Sequence, residues 1–418
     1  MAEIREGYKK TEIGIIPEDW EVKPLGHFVA NINKKYEQND KDIPYIGLEH
    51  LEVATGKLLG IGNTSQMKSS KNTFRKGDIL FGKLRPYLRK YHYTEFEGAC
   101  STEILVLRPN KNCEFPYYLI QSNNFIDTVS NQSYGTKMPR TSWKQMRSFL
   151  FPIPPLKEQE KIAEILSTAD NHIEDLDRLI EDYELLKKGM MQKLLTEGIG
   201  HTEFKDTEIG RIPNGWEVKA LEEIANKKIK NSFIDGDWIE KEHLREDGIR
   251  LIQTGNIGIG EFVEKEDKKY ISEESFRSLN CKEVFKDDIL ICRMAEPTGR
   301  SCIAPDLNKR MITSVDCVIL RLDTKIHQLK FVNYFLNSYQ GLKYSRLNEQ
   351  GTTRRRITRK KLSKLPVPIP PLEEQEKIAS ILSSIDDHIN QLKKNKDNYK
   401  ILKQALMDRL LTGKIRVV

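Results

Sequence analysis

No apolar run in this 418-residue chain approaches the roughly 20 residues needed to cross a bilayer, and the start, Met1 to Lys10, is polar and charged. The expectation is a cytoplasmic protein, neither inserted nor exported. Cysteine is scarce, with 6 residues (Cys100, Cys113, Cys281, Cys292, Cys302 and Cys317) and no C-x-x-C pair. That scatter argues against a disulfide frame or a zinc ribbon and for buried free thiols in a reducing compartment. There is no G-x-x-x-x-G-K-[ST] loop and no strand-borne G-x-G-x-x-G. Gly255-Asn-Ile-Gly258-Ile-Gly260 has its glycines in the wrong order and reads as a turn. Also missing is any Asn-Pro-Pro-[Phe/Tyr] or Asp-Pro-Pro-Tyr tetrapeptide of the kind amino-methyltransferases place around a target base. Glu21-Val-Lys23 and Glu217-Val-Lys219 have the E-x-K shape of metal-dependent nucleases but lack a partner acid at usable spacing. The expectation is a chain with no catalytic site, no metal and no bound cofactor of its own. Charge is nearly balanced, 68 Lys+Arg against 61 Asp+Glu for a net +7, so a nucleic-acid role must rest on where cations cluster.

The sequence does contain a repeat of itself. Thr11-Glu-Ile-Gly-Ile-Ile-Pro-Glu-Asp-Trp20-Glu-Val-Lys-Pro-Leu25 returns as Thr207-Glu-Ile-Gly-Arg-Ile-Pro-Asn-Gly-Trp216-Glu-Val-Lys-Ala-Leu221, an offset of 196. Pro152-Ile-Pro-Pro-Leu156 to Leu166 returns as Pro368-Ile-Pro-Pro-Leu372 to Leu382, now at an offset of 216. The second copy therefore carries about twenty extra residues between its matched blocks. Weaker likenesses lie between: Phe74 to Leu80 with Phe285 to Leu290, and Ser101 to Arg108 with Ser314 to Arg321. Short apolar strands with Gly, Asn and Asp turns, and helical pieces near Pro116 to Ser130 and Leu329 to Leu347, predict a mixed α+β head in each copy.

A proline-rich entry follows each head and leads into a proline-free segment with a heptad. Glu158 and Glu160, or Glu374 and Glu376, complement the dipole at each helix start. Pro-Ile-Pro-Pro could also serve as a proline-peptide ligand, but the charged helix that follows at once favours the helix-entry reading. Ile162, Leu166, Ala169, Ile173, Leu176, Ile180, Tyr183, Met190 and Leu194 alternate steps of four and three, interrupted by Lys187. Ile378, Leu382, Ile385, Ile389, Leu392, Tyr399, Leu406 and Leu410 repeat the pattern, broken at Lys396 and Lys403. This rhythm specifies a left-handed coiled coil, about 57 Å long from Glu158 to Leu195. Chain order requires the two helices to run antiparallel if they pair. That predicts heads at opposite ends, a pseudo-two-fold and a cyclic arrangement in which the C-terminus returns to the N-terminal segment. His172 and His388, beside the seam, read as packing or surface residues. The expected segments are a first head over 1–155, a helix over 156–196, a second head over 197–370 and a helix over 371–418.

Cations cluster twice in each head. The first carries Lys83, Arg85, Tyr87, Arg89 and Lys90 in an acid-free stretch from Phe81 to Tyr93, then Thr136, Lys137 and Arg140 before the proline entry. The second carries Arg293 and Arg300, then Thr352, Arg354, Arg355, Arg356 and Arg359. Arginine forks can grip guanine edges while Lys and Thr hold phosphate. A lone basic run usually marks a solvated face, but its recurrence in both copies favours duplex DNA. Two other readings stay open: a self-contained DNA-modifying enzyme with an unrecognised site, and a coiled-coil protein-interaction scaffold.

The doubled order of Ile-Pro-x-x-Trp-Glu, variable head and Pro-Pro-Leu-x-Glu-Gln-Glu-Lys-Ile resembles the specificity subunit of type I restriction-modification systems. Pro154-Pro-Leu-Lys-Glu-Gln-Glu-Lys-Ile162 and Ile212-Pro-Asn-Gly-Trp216-Glu217 carry the likeness. The resemblance implies two target-recognition domains, each reading half of a split double-stranded DNA sequence, and helices that act as a ruler and dock partners. The implied partners are two methyltransferase subunits and restriction subunits, which would use S-adenosylmethionine, ATP and Mg; no membrane is involved.

Overall fold

A computed structural model describes residues 5–37, 42–111, 113–135, 137–294 and 296–417. The chain divides into two compact units, residues 1–177 with 394–418, and residues 178–393. Nine helices fall among the described residues: α1 (Phe115–Gln121), α2 (Asn123–Asn131), α3 (Trp143–Met146), α4 (Leu156–Leu194), α5 (Glu273–Ser278), α6 (Leu329–Leu336), α7 (Tyr339–Leu347), α8 (Arg359–Leu362) and α9 (Leu372–Leu410). The long helices α4 and α9 begin within two residues of the start expected from the acidic first turns.

In the first unit one antiparallel sheet has the order Val29–Asn31, Ile104–Pro109, Ile79–Gly82, Tyr91–Tyr93. A second has the order Gly62–Asn63, Pro44–Ile46, Gly98–Ser101, Lys71–Phe74, with Pro44–Ile46 parallel to Gly98–Ser101. The second unit repeats both. Phe233–Asp235, Cys317–Leu320, Ile289–Cys292 and Ser301–Ile303 form the first sheet, while Ile249–Ile252 runs parallel to Met311–Thr313 in the other. The longer second head adds the edge strand Leu244–Arg245 and α5 to that other sheet. The proline entries complete each frame: Leu150–Ile153 pairs with Glu21–Pro24, and Pro366–Ile369 with Glu217–Ala220, both antiparallel. Proline is tolerated because each strand has only one partner.

Each core forms where a head meets both long helices. In the first unit Trp20, Phe81, Phe115, Phe125 and Phe151 pack with Ile162 and Leu166 of α4 and with Met407 and Leu410 of α9. In the second unit Trp216, Phe331, Phe335 and Val367 pack with Ile378 and Leu382 of α9 and Leu194 of α4. The helices are antiparallel within each unit, as connectivity demanded. Along the seam Ile173, Ile180 and Ile389 are buried, and Leu176, Ile385 and Leu392 are half-buried. His172 stacks on Tyr399 at 5.4 Å in one unit and His388 on Tyr183 at 4.7 Å in the other, so both histidines pack on the seam.

The lysines that interrupt the heptad reach acids on the opposing helix. Lys187 meets Asp386, Lys403 meets Asp170, and Lys396 meets Asp177. The C-terminal segment returns to the N-terminal one within the first unit, where the Tyr8 hydroxyl donates to the Gly413 carbonyl at 2.8 Å. Glu158, 3% exposed, accepts from Trp20 Nε1 at 2.9 Å and from Arg416 Nε at 2.8 Å. Glu374 in the second unit accepts from Trp216 Nε1 at 3.0 Å and from the Ile199 amide at 2.9 Å. The repeated Trp and Glu are thus one clasp, built twice. No helix among the described residues is long and apolar enough to cross a membrane, and all six cysteines are free.

Candidate nucleic-acid interface

The two cation clusters of each head are distant in sequence and adjacent in space. In the first head the backbone of Leu84 bridges Arg140, which also bridges Tyr134. The Arg85 amide donates to the Pro139 carbonyl at 2.7 Å, and Thr141 donates to the Lys83 carbonyl at 3.0 Å. In the second head Met294 bridges Arg356, Arg356 bridges Gln350, and the Ile357 amide donates to the Arg293 carbonyl at 2.9 Å. Each head therefore carries a tight loop pinned to the segment after its central strand. Gly135 and Gly351 occupy equivalent places in these loops with φ of +94° and +95°, a left-handed turn that suits glycine.

Side chains on the first loop differ in freedom. Arg85, Tyr87 and Lys137 are exposed, and no described side chain accepts from Arg85 or Lys137. Arg85 and Arg89 have φ of 50° and 52°, left-handed values on either side of the turn Pro86–Leu88. Such a backbone costs on the order of 1 kcal/mol per non-glycine residue and marks a place where side-chain direction is fixed by the surroundings. Arg89 is held by Asn123 Oδ1 at 2.6 Å, Lys90 donates to the Leu48 carbonyl at 2.6 Å, and Arg140 pairs with Glu103 at 3.1 Å. Lys83 is half-buried against the Thr102 carbonyl, and burial lowers its ammonium pKa. Thr136 lies outside the described residues.

In the second head Thr352, Arg354, Arg355, Arg356 and Arg359 are exposed. Arg355 is 3.9 Å from Glu349, Arg356 is 3.5 Å from Asp316, and Arg359 is 3.4 Å from Asp235. The guanidinium ends of these long pairs stay open to solvent, while the acids they face are largely buried. Burial raises the Asp235 carboxyl against the pull of Arg293 and Arg359.

Arg293 and Arg300 require a correction. Both were expected on the surface, yet they are 3% and 8% exposed. Arg293 pairs with Asp235 at 2.8 Å and donates to the Val315 carbonyl at 2.7 Å. Arg300 donates to the carbonyls of Ile257 at 2.7 Å and Thr254 at 2.9 Å. With its donors turned inward, Arg293 holds the end of the loop through the Ile357 carbonyl, while Arg300 ties its own strand to the Thr254–Ile257 turn.

Tyr134 and Met138 lie within the second basic cluster of the first head but outside the expected contact residues; they stand exposed on the loop beside Lys137 and add apolar area for sugar or base faces. Their interleaving with cations was the available signal. The acids Asp235, Asp316 and Glu349 were not foreseeable, because they arrive from remote parts of the chain. Among the described residues no group of three or more His, Cys, Asp or Glu could hold a metal ion.

Two heads of one fold, each presenting a basic pinned loop and each framed by the same strand pair and clasp, define a duplicated recognition chain. The sequence profile described as "Type I restriction modification DNA specificity domain" matches residues 17–181 and again 213–401, and the chain belongs to that family. It is 34% identical over 433 residues to a Methanocaldococcus jannaschii chain assigned as the type I restriction enzyme MjaX specificity subunit, covering 99% of this chain and 97% of that one. It is 28% identical over 430 residues to the MjaVIII specificity subunit of the same organism, covering 99% and 96%. Among solved structures, a chain from work on complex assembly and conformational transition of the type I R-M system aligns with a TM-score of 0.62 at 21% identity, covering 96% of this chain and 99% of that one. The type I restriction-modification S subunit from M. genitalium aligns at 0.56 and 16% identity, covering 98% and 97%. These structural likenesses bear on the fold, which they share over its full extent.

Proposed function

We propose that this chain is the specificity subunit of a type I restriction-modification complex, with each head reading one half of a split double-stranded DNA target. The observation that carries the reading is the pinned basic loop, built by the same backbone bridges at Arg140 in one head and Arg356 in the other. Arginines at the tip suit guanine edges and phosphates. α4 and α9 act as the ruler between half-sites, and their outer faces dock two methyltransferase subunits. Restriction subunits complete the assembly. The chain contributes recognition alone; S-adenosylmethionine, ATP and Mg belong to the partner subunits, and no catalytic step falls to the residues described above.

The test is selection of bound sequences from randomised duplex DNA by the chain assembled with its methyltransferase. Two short motifs separated by a fixed unread gap are expected. Alanine at Arg354, Arg355 and Arg356 should degrade one motif and spare the other. Methyl transfer by the purified chain alone would favour the enzyme reading, and no DNA retention in any assembly would favour the scaffold.

A further inference from the structure

The seam lysines Lys187 and Lys403 are related by the repeat offset of 216, and so are the acids they meet, Asp170 and Asp386. A third residue shares that offset in each unit: Tyr118 of α1 and Tyr334 of α6, both contributed by the heads. In the second unit Lys187 Nζ lies 2.6 Å from Asp386 Oδ1, while the Tyr334 hydroxyl donates to Asp386 Oδ2 at 2.6 Å. The ammonium also sits 5.7 Å from the Tyr334 ring centroid. In the first unit Lys403 Nζ lies 2.6 Å from Asp170 Oδ1 and 5.6 Å from the Tyr118 ring centroid. Lys403 further donates to Gln121 Oε1 at 3.0 Å. Each triad thus draws one residue from α4, one from α9 and one from the head.

An apolar heptad tolerates a slide of one repeat, because one Leu or Ile replaces another; a polar residue in the seam removes that freedom. A slide of seven residues would place Lys187 against Ala379 or Lys393 instead of Asp386, and Lys403 against Ala163 or Asp177 instead of Asp170. The first outcome in each case strands an ammonium against alanine, so at least one lysine loses its partner in either direction. The tyrosine extends the lock to the head: Tyr334 engages the ion pair through hydroxyl and ring, and Tyr118 packs its ring against Lys403.

We propose that the Asp170–Lys403–Tyr118 and Asp386–Lys187–Tyr334 triads are positioning locks that fix helix register and the seating of each head on the helix pair. They thereby set the stringency of the gap between half-sites without touching a base. This inference rests on the half-site reading above.

The experiment maps methylated motifs made by the full complex, comparing wild type with Lys187→Met plus Lys403→Met, and separately with Tyr118→Phe plus Tyr334→Phe. Methionine fills the seam, and phenylalanine keeps the ring while deleting the hydroxyl. Both half-sites should be retained, while sites whose gap is up to about three base pairs longer or shorter, the length of a seven-residue slide, gain methylation about tenfold. Folded variants that keep wild-type gap stringency overturn the lock and leave the half-site reading intact. If the methionine variant fails to fold, the phenylalanine variant decides by the same criterion. A wild-type complex with no split motif overturns the half-site reading itself.

Discussion

Replacing Arg354, Arg355 and Arg356 by alanine removes three exposed cations from the second loop. Arg354 has no side-chain acceptor among the described residues, and the other two face carboxylates at 3.9 Å and 3.5 Å. The arginine ends are exposed but the carboxylates of Glu349 and Asp316 are only 12% and 15% exposed, so the variant should lose up to about 1 kcal/mol of stability for each pair. Binding is another matter. Each phosphate contact adds about 0.9 to the slope of log Kobs against log salt on duplex DNA, so three contacts contribute about 2.7. Parent and variant should then differ by about 40-fold more at 50 mM than at 200 mM salt. The assay is fluorescence-detected binding of a target duplex to the assembled complex across a salt series, with Arg293→Ala as the contrast. Arg293 is buried and paired with Asp235, so its loss should appear as destabilisation of about 3–5 kcal/mol. An unchanged salt slope in the folded triple variant would refute the assignment of this loop to DNA.

Glu158→Ala strands the buried Trp20 indole N–H and the Arg416 guanidinium, and should cost about 2–3 kcal/mol, read as a lower melting temperature. Gly351→Ala forces alanine into φ +95° with its Cβ 2.9 Å from the Arg354 carbonyl; about 1 kcal/mol of strain should distort the loop and weaken DNA binding more than it lowers melting. Asp177 is partly buried, which works against its charged form, but Lys396 and Lys57 outweigh this and hold its carboxyl pKa below the ordinary value. A depressed folded pKa gives stability that is present above the unfolded value and lost as pH falls through the folded one. Asp177→Asn should therefore be up to about 1 kcal/mol less stable than wild type at pH 7, with the gap closing below about pH 4 in denaturation series.

The frame of the molecule was legible because its signals are local and doubled. Trp20 and Trp216, the acidic starts at Glu158 and Glu374, and the four-three rhythm from Ile162 and Ile378 need only short windows of chain, and each appears twice. Even the exceptions carried information: Lys187 and Lys403 interrupt the heptad because acids wait on the opposing helix. The site was less legible for the converse reason. Whether an arginine faces solvent depends on what arrives from elsewhere, and the carbonyls of Thr254 and Ile257 turn Arg300 inward. The bridge from Leu84 to Arg140 joins residues 56 apart in the chain, and no periodicity announces it. Likewise, the left-handed backbone at Arg85 and Arg89 violates the local preference that sequence reasoning relies on.

The central claim is that two heads on one helical frame read a single split DNA sequence. Mapping methylated bases in DNA from cells that carry this chain together with the methyltransferase proposed as its partner tests it most directly. The account predicts one asymmetric motif of two short half-sites separated by a constant number of unread base pairs. A single uninterrupted motif, or half-sites methylated at any separation, would contradict it.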